Sequence, residues 1–227
     1  MADSFLPRSE SRTEVPEVVV ARLPQYARVL GRLLEEGIEV VNSQQLGDRL
    51  QVTPAQIRKD LSYFGRFGKQ GRGYSVRHLL EQLKDILGLN SSWNVAVVGV
   101  GRLGKAILSY PGFTSDGFHL VAAFDNDPEV IGQAVGQLTV QPMEILDAVV
   151  REKQVSIAIV AVPSRNTQGV VDRLVGSGVR AILNYTPIAP YVREGVKIRN
   201  IDPVLSLQSM TYFLVQNCSQ APTGSGE

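Results

Sequence analysis

The chain has 227 residues, of which 44% are hydrophobic and 20% charged, and a formal net charge of +1. This is ordinary for a soluble globular chain, and the length allows one large or two small domains. No apolar run approaches the roughly 20 residues that span a bilayer. The opening MADSFLPRSESRTEVPE lacks the apolar core of a signal peptide, and the single cysteine, Cys218, has no partner for an internal disulfide, so a cytoplasmic protein is expected.

Residues 1–17, with Pro7 and Pro16, read as a flexible arm. A helix is expected from Val18 or Leu23 to Glu36, because Leu23, Tyr26, Ala27, Leu30, Leu33 and Leu34 recur at helical spacing and Gly37 stops it. Asn42-Ser43 caps a short helix through Leu50. Thr53-Pro54-Ala55-Gln56 joins an N-cap, a first-turn proline and a capping-box glutamine, predicting a third helix from Pro54 to Phe64. Four glycines then alternate with basic and aromatic residues from Gly65 to Tyr74, which predicts a twisted hairpin. An amphipathic helix follows over Val76–Leu87, and Gly88–Ser92 reads as a linker. Residues 18–88 are thus taken as a winged helix-turn-helix.

From Arg49 to Arg77 there are seven basic residues (Arg49, Arg58, Lys59, Arg66, Lys69, Arg72, Arg77) against one acid, Asp60. The third helix explains how they could be used. With Ile57 at zero and about 100° per residue, Leu61 falls near 40° and Phe64 near 340°, whereas Ala55, Arg58, Lys59 and Ser62 fall between about 100° and 200°. One face is apolar. The other carries a small residue, two cations and a hydroxyl, as a helix entering the major groove requires. Tyr63 flanks this face, and Lys69, Arg72 and Tyr74 on the wing could reach phosphate or the minor groove.

Residues 89–202 alternate strand candidates (94–98, 119–124, 156–162, 179–184, 196–199) with helix candidates (102–109, 142–152, 165–176). This predicts an α/β domain with a doubly wound parallel sheet, a Rossmann arrangement. Its first strand, Asn94–Val98, runs into Gly99-Val100-Gly101-Arg102-Leu103-Gly104, the glycine turn that lets a backbone approach a pyrophosphate at a helix N-terminus. The second strand ends on Asp125, 21 residues beyond Gly104, where a carboxylate would meet the adenosine ribose. Asn126-Asp127 follow without an arginine for a 2′-phosphate, which favours NAD over NADP. Pro203–Asn217 reads as a last helix, giving a 203–218 segment before a disordered 219–227 tail.

Catalytic groups are not evident. His78 and His119 are not placed as bases, no Tyr-x-x-x-Lys pair occurs, and no Cys/His/Asp cluster has metal-ligand spacing. The domain reads as one that binds a dinucleotide without reacting with it. Two other readings stay open: a regulator responding to CoA or another adenine nucleotide, and an NAD-dependent oxidoreductase with an accessory DNA-binding domain.

The motifs together resemble the Rex family of redox-sensing transcriptional repressors. Gln56-Ile57-Arg58-Lys59-Asp60-Leu61-Ser62-Tyr63-Phe64-Gly65 is similar to its recognition helix, and Gly71-Arg72-Gly73-Tyr74 to its wing. The glycine loop with Tyr110-Pro111-Gly112-Phe113 resembles its nucleotide loop. Ile182-Leu183-Asn184-Tyr185-Thr186-Pro187 and Asn200-Ile201-Asp202 resemble its nicotinamide-side segments. The resemblance implies a homodimer that binds an inverted-repeat operator, releases it on binding NADH and tolerates NAD+. It implies that the C-terminal helices are exchanged across the dimer. It adds Tyr110, Val162, Pro163, Asn184, Tyr185 and Asp202 to the cofactor residues, and makes Arg22, Tyr110 and Asp202 a trio coupling the DNA-binding helix to the nicotinamide end. One departure is Pro203, where some relatives are expected to carry an aromatic residue.

Overall fold

The computed structural model describes residues 15–69, 72–112 and 117–219. Most of the expected arm, the tip of the wing (70–71), Phe113 and the 220–227 tail lie outside the described residues. The chain divides into two compact units between Ser91 and Ser92.

In the first unit, α1 (Glu17–Glu35) buries Leu23, Tyr26, Ala27, Leu30 and Leu33 on one stripe. It meets α2 (Ser43–Leu50), α3 (Pro54–Ser62) and α4 (Val76–Leu87) in one apolar core. Local chemistry sets each start. The Asn42 side chain accepts from the Gln45 N–H and the Gln45 side chain accepts from the Asn42 N–H, closing the box that begins α2. The Thr53 hydroxyl accepts from the Gln56 N–H at the start of α3. α3 ends at Ser62, two residues before the sequence reading placed it, and Phe64 packs against the core from beyond the helix. The wing strands β2 (Gly68–Lys69) and β3 (Gly73–Ser75) are joined by β1 (Val40–Val41) into a three-stranded antiparallel sheet ordered β1-β3-β2. Two residues carry no periodicity, so β1 had no sequence signal.

The second unit is a seven-stranded sheet. Its strands are β4 (Trp93–Val98), β5 (Phe118–Asp125), β6 (Ala134–Val135), β7 (Leu138–Pro142), β8 (Ile157–Val160), β9 (Ala181–Asn184) and β10 (Lys197–Asn200). Their order is β10-β9-β8-β4-β5-β7-β6, and every pairing but that of β6 is parallel. β6 and β7 are the elements missed by the strand pattern; β7 carries Gln141 and Pro142, which break its apolar run. The helices are α5 (Arg102–Leu108), α6 (Leu146–Glu152), α7 (Thr167–Ser177) and α8 (Pro203–Ser219). Alternation along β4 divides the core: Ala96 and Val98 join one buried layer, Val95 and Val97 the other. A register shift between β4 and β5 leaves Val121 unmatched, and the Lys153 ammonium donates to its carbonyl oxygen at 2.7 Å. No helix among the described residues is long and apolar enough to cross a membrane.

Candidate DNA-reading and nucleotide-binding sites

The wheel drawn for α3 matches the fold. Ile57 and Leu61 are buried, and Ala55, Arg58, Lys59 and Ser62 are exposed together on the opposite side. Arg58 is indexed from α2, its Nη1 donating to the Ser43 hydroxyl at 3.0 Å. The Ser62 hydroxyl donates back to the Lys59 carbonyl oxygen at 2.7 Å. A cleft of about 610 Å³ separates this helix from the wing, walled by Ser43, Arg58 and Ser62 on one side and Arg66, Phe67 and Tyr74 on the other. Tyr63 is half-buried at the end of α3, and Arg72 is exposed on the wing. Tyr74 is half-buried against the core, and this burial pushes its phenol pKa up, against the opposing effect of the Arg58 charge. Lys69 lies in β2.

The acid of this basic stretch is not on its surface. Asp60 is fully buried and accepts four hydrogen bonds. Arg22 donates from Nε to Oδ2 at 2.6 Å and from Nη2 to Oδ1 at 2.7 Å; the Tyr26 hydroxyl donates to Oδ2 at 2.6 Å, and Gln56 Nε2 to Oδ1 at 2.6 Å. Burial pushes the Asp60 carboxyl up, but these donors and the Arg22 charge outweigh it, so its pKa lies below the usual carboxylate value. The hydrogen bond to Asp60 raises the Arg22 guanidinium, and burial foremost raises the Tyr26 phenol. Removing one partner of such a pair strands the other charge in the interior, at a cost of about 3–5 kcal/mol. Sequence reasoning missed this cluster, although a signal existed. Asp60 falls near 300° on the α3 wheel, beside the apolar arc and away from the exposed face, while Arg22 and Tyr26 stand four residues apart on α1.

In the second unit, Gly99 ends β4 with φ +93°, and a Cβ there would overlap the Ala161 carbonyl. A Cβ on Gly104 would overlap the Gly99 carbonyl oxygen, so this glycine seats α5 against the strand. A Cβ on Gly101 would meet nothing within 4 Å. The loop therefore has two glycines required by the fold and one that opens onto free space, as a backbone approaching a phosphate needs. The first-turn N–H groups of α5 have no carbonyl partner within their helix. A crevice of about 720 Å³ opens here, within the range of small-molecule sites. Its walls include Gly99, Gly101, Arg102, Leu103, Asp125, Asn126, Val162 and Pro163, all named from sequence. They also include Asp127, Val130, Met143, Asn166 and Val170; Met143 escaped notice because it follows the unanticipated β7.

Asp125 at the end of β5 accepts from the Val100 N–H at 2.6 Å on Oδ2, and from the Asn126 and Asp127 N–H groups at 2.7 and 3.0 Å on Oδ1. It holds the glycine loop as well as facing the crevice. A carboxylate has about four lone-pair sites, so capacity for one ribose hydroxyl remains. The residues thus fit a dinucleotide.

Other positions expected at the cofactor do not wall this crevice. Val100 and Gly104 are buried and support the loop. Asn184 is fully buried with its side chain committed: Nδ2 donates to the Ile188 carbonyl at 2.7 Å and to Asn200 Oδ1 at 2.8 Å, and Oδ1 accepts from the Thr186 hydroxyl at 2.8 Å. It ties the turn after β9 to β10 instead of presenting an amide to a ligand. Tyr185 packs on the face of the sheet holding Val95 and Val97, and Tyr110 is 61% exposed. Asp202 caps α8, accepting from the Val204 N–H at 2.9 Å. Pro203 is the first residue of that helix, where its missing N–H and fixed φ suit the fold. Among the described residues no group of three or more His, Cys, Asp or Glu could hold a metal ion.

A cationic helix face in a winged-helix unit, joined to a glycine-loop crevice in a parallel α/β unit, defines a DNA-binding regulator with a nucleotide-binding domain. Residues 14–62 match the family model described as putative DNA-binding protein N-terminus, and residues 90–188 the model described as CoA binding domain. The chain is 55% identical over 214 residues to the redox-sensing transcriptional repressor Rex of Roseiflexus sp. (strain RS-1), covering 94% of this chain and 97% of that one. It is 56% identical over 207 residues to the Rex of Chloroflexus aggregans, covering 91% and 98%. It resembles the crystal structure of RSP in complex with β-NAD+ and operator DNA, at 36% identity and a TM-score of 0.86 over 90% of this chain and 94% of that one. RSP in complex with β-NADH matches at 35% identity and a TM-score of 0.82, over 90% and 96%. The chain belongs to the Rex family of redox-sensing transcriptional repressors.

Proposed function

We propose that this protein is a transcriptional repressor that reads operator DNA with α3 and the wing, senses the NADH/NAD+ ratio in the glycine-loop crevice, and leaves its operator when NADH binds. The observation that carries this is the coexistence, in one chain of the Rex family, of an exposed Ala55/Arg58/Lys59/Ser62 face and a crevice walled by Gly101 and Asp125. Arg58 and Lys59 suit guanine edges, Ala55 suits a thymine methyl, and Lys69 and Arg72 suit phosphate. The crevice donates backbone N–H groups to a pyrophosphate and offers Asp125 to a ribose, with Asn126 beside it. A nicotinamide ring is a neutral, easily puckered group when reduced and a planar cation when oxidised. A site that excludes water turns that charge difference into differential affinity.

The working form is a cytoplasmic homodimer on an inverted repeat. Helix α8 supports this, because Val204, Leu207, Met210, Phe213 and Leu214 are all 55–65% exposed around it. A helix apolar all round is a buried helix, and a second copy of this chain would cover it. NADH would favour a closed dimer whose two α3 helices no longer match successive half-sites. Tyr185 and Asn184 at the end of β9 sit on the nicotinamide side of this reading. Arg22, Tyr110 and Asp202 form its coupling trio. In the first unit Asp60 holds the Nε and Nη2 edge of Arg22.

The test is a gel shift on a palindromic operator with NADH titrated against constant NAD+. Coupling of about 1–3 kcal/mol changes occupancy about 5–150-fold and is reciprocal, so operator must weaken NADH binding by the same factor. Equal NADH affinity with and without operator would end the proposal. The model described as CoA binding domain gives a second reading, in which CoA is the effector. Separate titrations of NADH, NAD+, NADPH and CoA distinguish the two.

A further inference from the structure

We infer that Asp60 is a positioning residue for base readout: it fixes the rotation of α3 about its own axis and so aims Arg58 and Lys59. This rests on the DNA-binding reading above. Helix α3 has only nine residues, and its fully buried apolar side chains are Ile57 and Leu61, one turn apart. Apolar contact is non-directional, so two such anchors on one line resist lifting of the helix far better than rolling. Asp60 lies off that line. Its carboxylate is gripped by the planar fork of Arg22 through Nε and Nη2 and by the Tyr26 hydroxyl, both from α1, with every bond at 2.6–2.7 Å. Gln56, one turn earlier on α3, supplies the fourth donor. A bidentate charge-assisted pair is directional, and this one spans two helices, so it opposes roll.

The consequence differs for the two kinds of DNA contact. Base edges are read by bidentate hydrogen bonds with narrow geometry, whereas phosphates accept long flexible cations over a wide range of angles. A helix freed to roll therefore loses discrimination before it loses general affinity. Asp60 touches no exposed atom of the reading face, being fully buried, so its effect is carried through Arg58 and Lys59.

The test uses the full-length chain and a duplex that the wild-type protein enriches from a random-sequence pool. Binding is compared with a shuffled duplex of equal length and composition. Asp60→Asn leaves a similar volume but brings an amide donor against Arg22, Tyr26 and Gln56. The ratio of enriched to shuffled affinity should fall by about tenfold, the size of one lost base contact. NADH binding should persist in a direct titration, which shows that the second unit is folded. Tyr26→Phe, which removes one donor and keeps the packing, should lower the ratio in the same direction by about threefold, and it decides the matter if Asp60→Asn does not fold. A purely stabilising role would reduce the active fraction and weaken both duplexes equally, leaving the ratio intact. An unchanged ratio in Tyr26→Phe and in folded Asp60→Asn would overturn this inference alone. Failure of the wild-type chain to enrich any duplex would overturn the DNA-binding reading, and this inference with it.

Discussion

The two units place an aspartate at each working surface and use it in opposite ways. Asp60 is fully buried and satisfied by side chains, two of them from another helix, so the pose of α3 depends on a charge pair. Asp125 sits at the mouth of the crevice and is satisfied by backbone N–H groups of its own turn and of the glycine loop. The pose of α3 therefore rests on side-chain pairs between two helices, and the glycine loop on one carboxylate gripping main-chain N–H groups close to it. Long side chains that adapt to a duplex need an external brace. The glycine loop is braced from the end of the neighbouring strand, by Asp125.

The sharpest way to break this contrast is Arg22→Met, which strands the Asp60 carboxylate. It should destabilise the first unit by about 3–5 kcal/mol, read as an early transition in thermal melting, while NADH binding by the second unit persists. A single unshifted transition would show that the pair is not a brace. Next come the glycines. Gly99→Ala combines a positive φ with overlap on the Ala161 carbonyl and should cost about 2–4 kcal/mol of second-unit stability. Gly101→Ala meets open space and should change stability by no more than about 0.5 kcal/mol, yet weaken NADH binding measured by its fluorescence. Equal effects of the two would dissolve the division between fold glycines and ligand glycine.

Arg58→Ala and Lys59→Ala should each weaken operator binding by about 1–3 kcal/mol with NADH affinity near normal. Loss of both activities would mean misfolding. Asp125→Ala should reduce nucleotide affinity in a direct titration and leave operator binding without nucleotide intact; release by NADH at unchanged concentration would remove Asp125 from the site. The smallest effect is in pH. Because the folded-state pKa of Asp60 is lowered, the unfolded chain takes up the proton first as pH falls. The first unit should hold its stability above about pH 4 and lose it progressively below, through the lowered value. Asp60→Asn should remove that loss from the acid limb of the unfolding curve.

Much of this was legible in one dimension. The capping residues Asn42 and Thr53, the opposed faces of α3 and the glycine loop are local patterns, and the fold places them as local physics requires. Asp125 could be named because the distance from glycine turn to second-strand end is fixed by a βαβ unit. Tertiary contact decided the rest. That Asp60 faces inward to Arg22 depends on the packing of α1 against α3, 38 residues away, and no composition count distinguishes it from a surface acid. That Asn184 secures a turn depends on β10 lying beside β9 and bringing Asn200 within reach. Sequence alone named the candidates for reading DNA and for cradling a phosphate, because propensity and periodicity act between near neighbours. Which polar groups instead hold those side chains in place was settled only by the folded chain, because burial and hydrogen-bond satisfaction are properties of distant segments brought together.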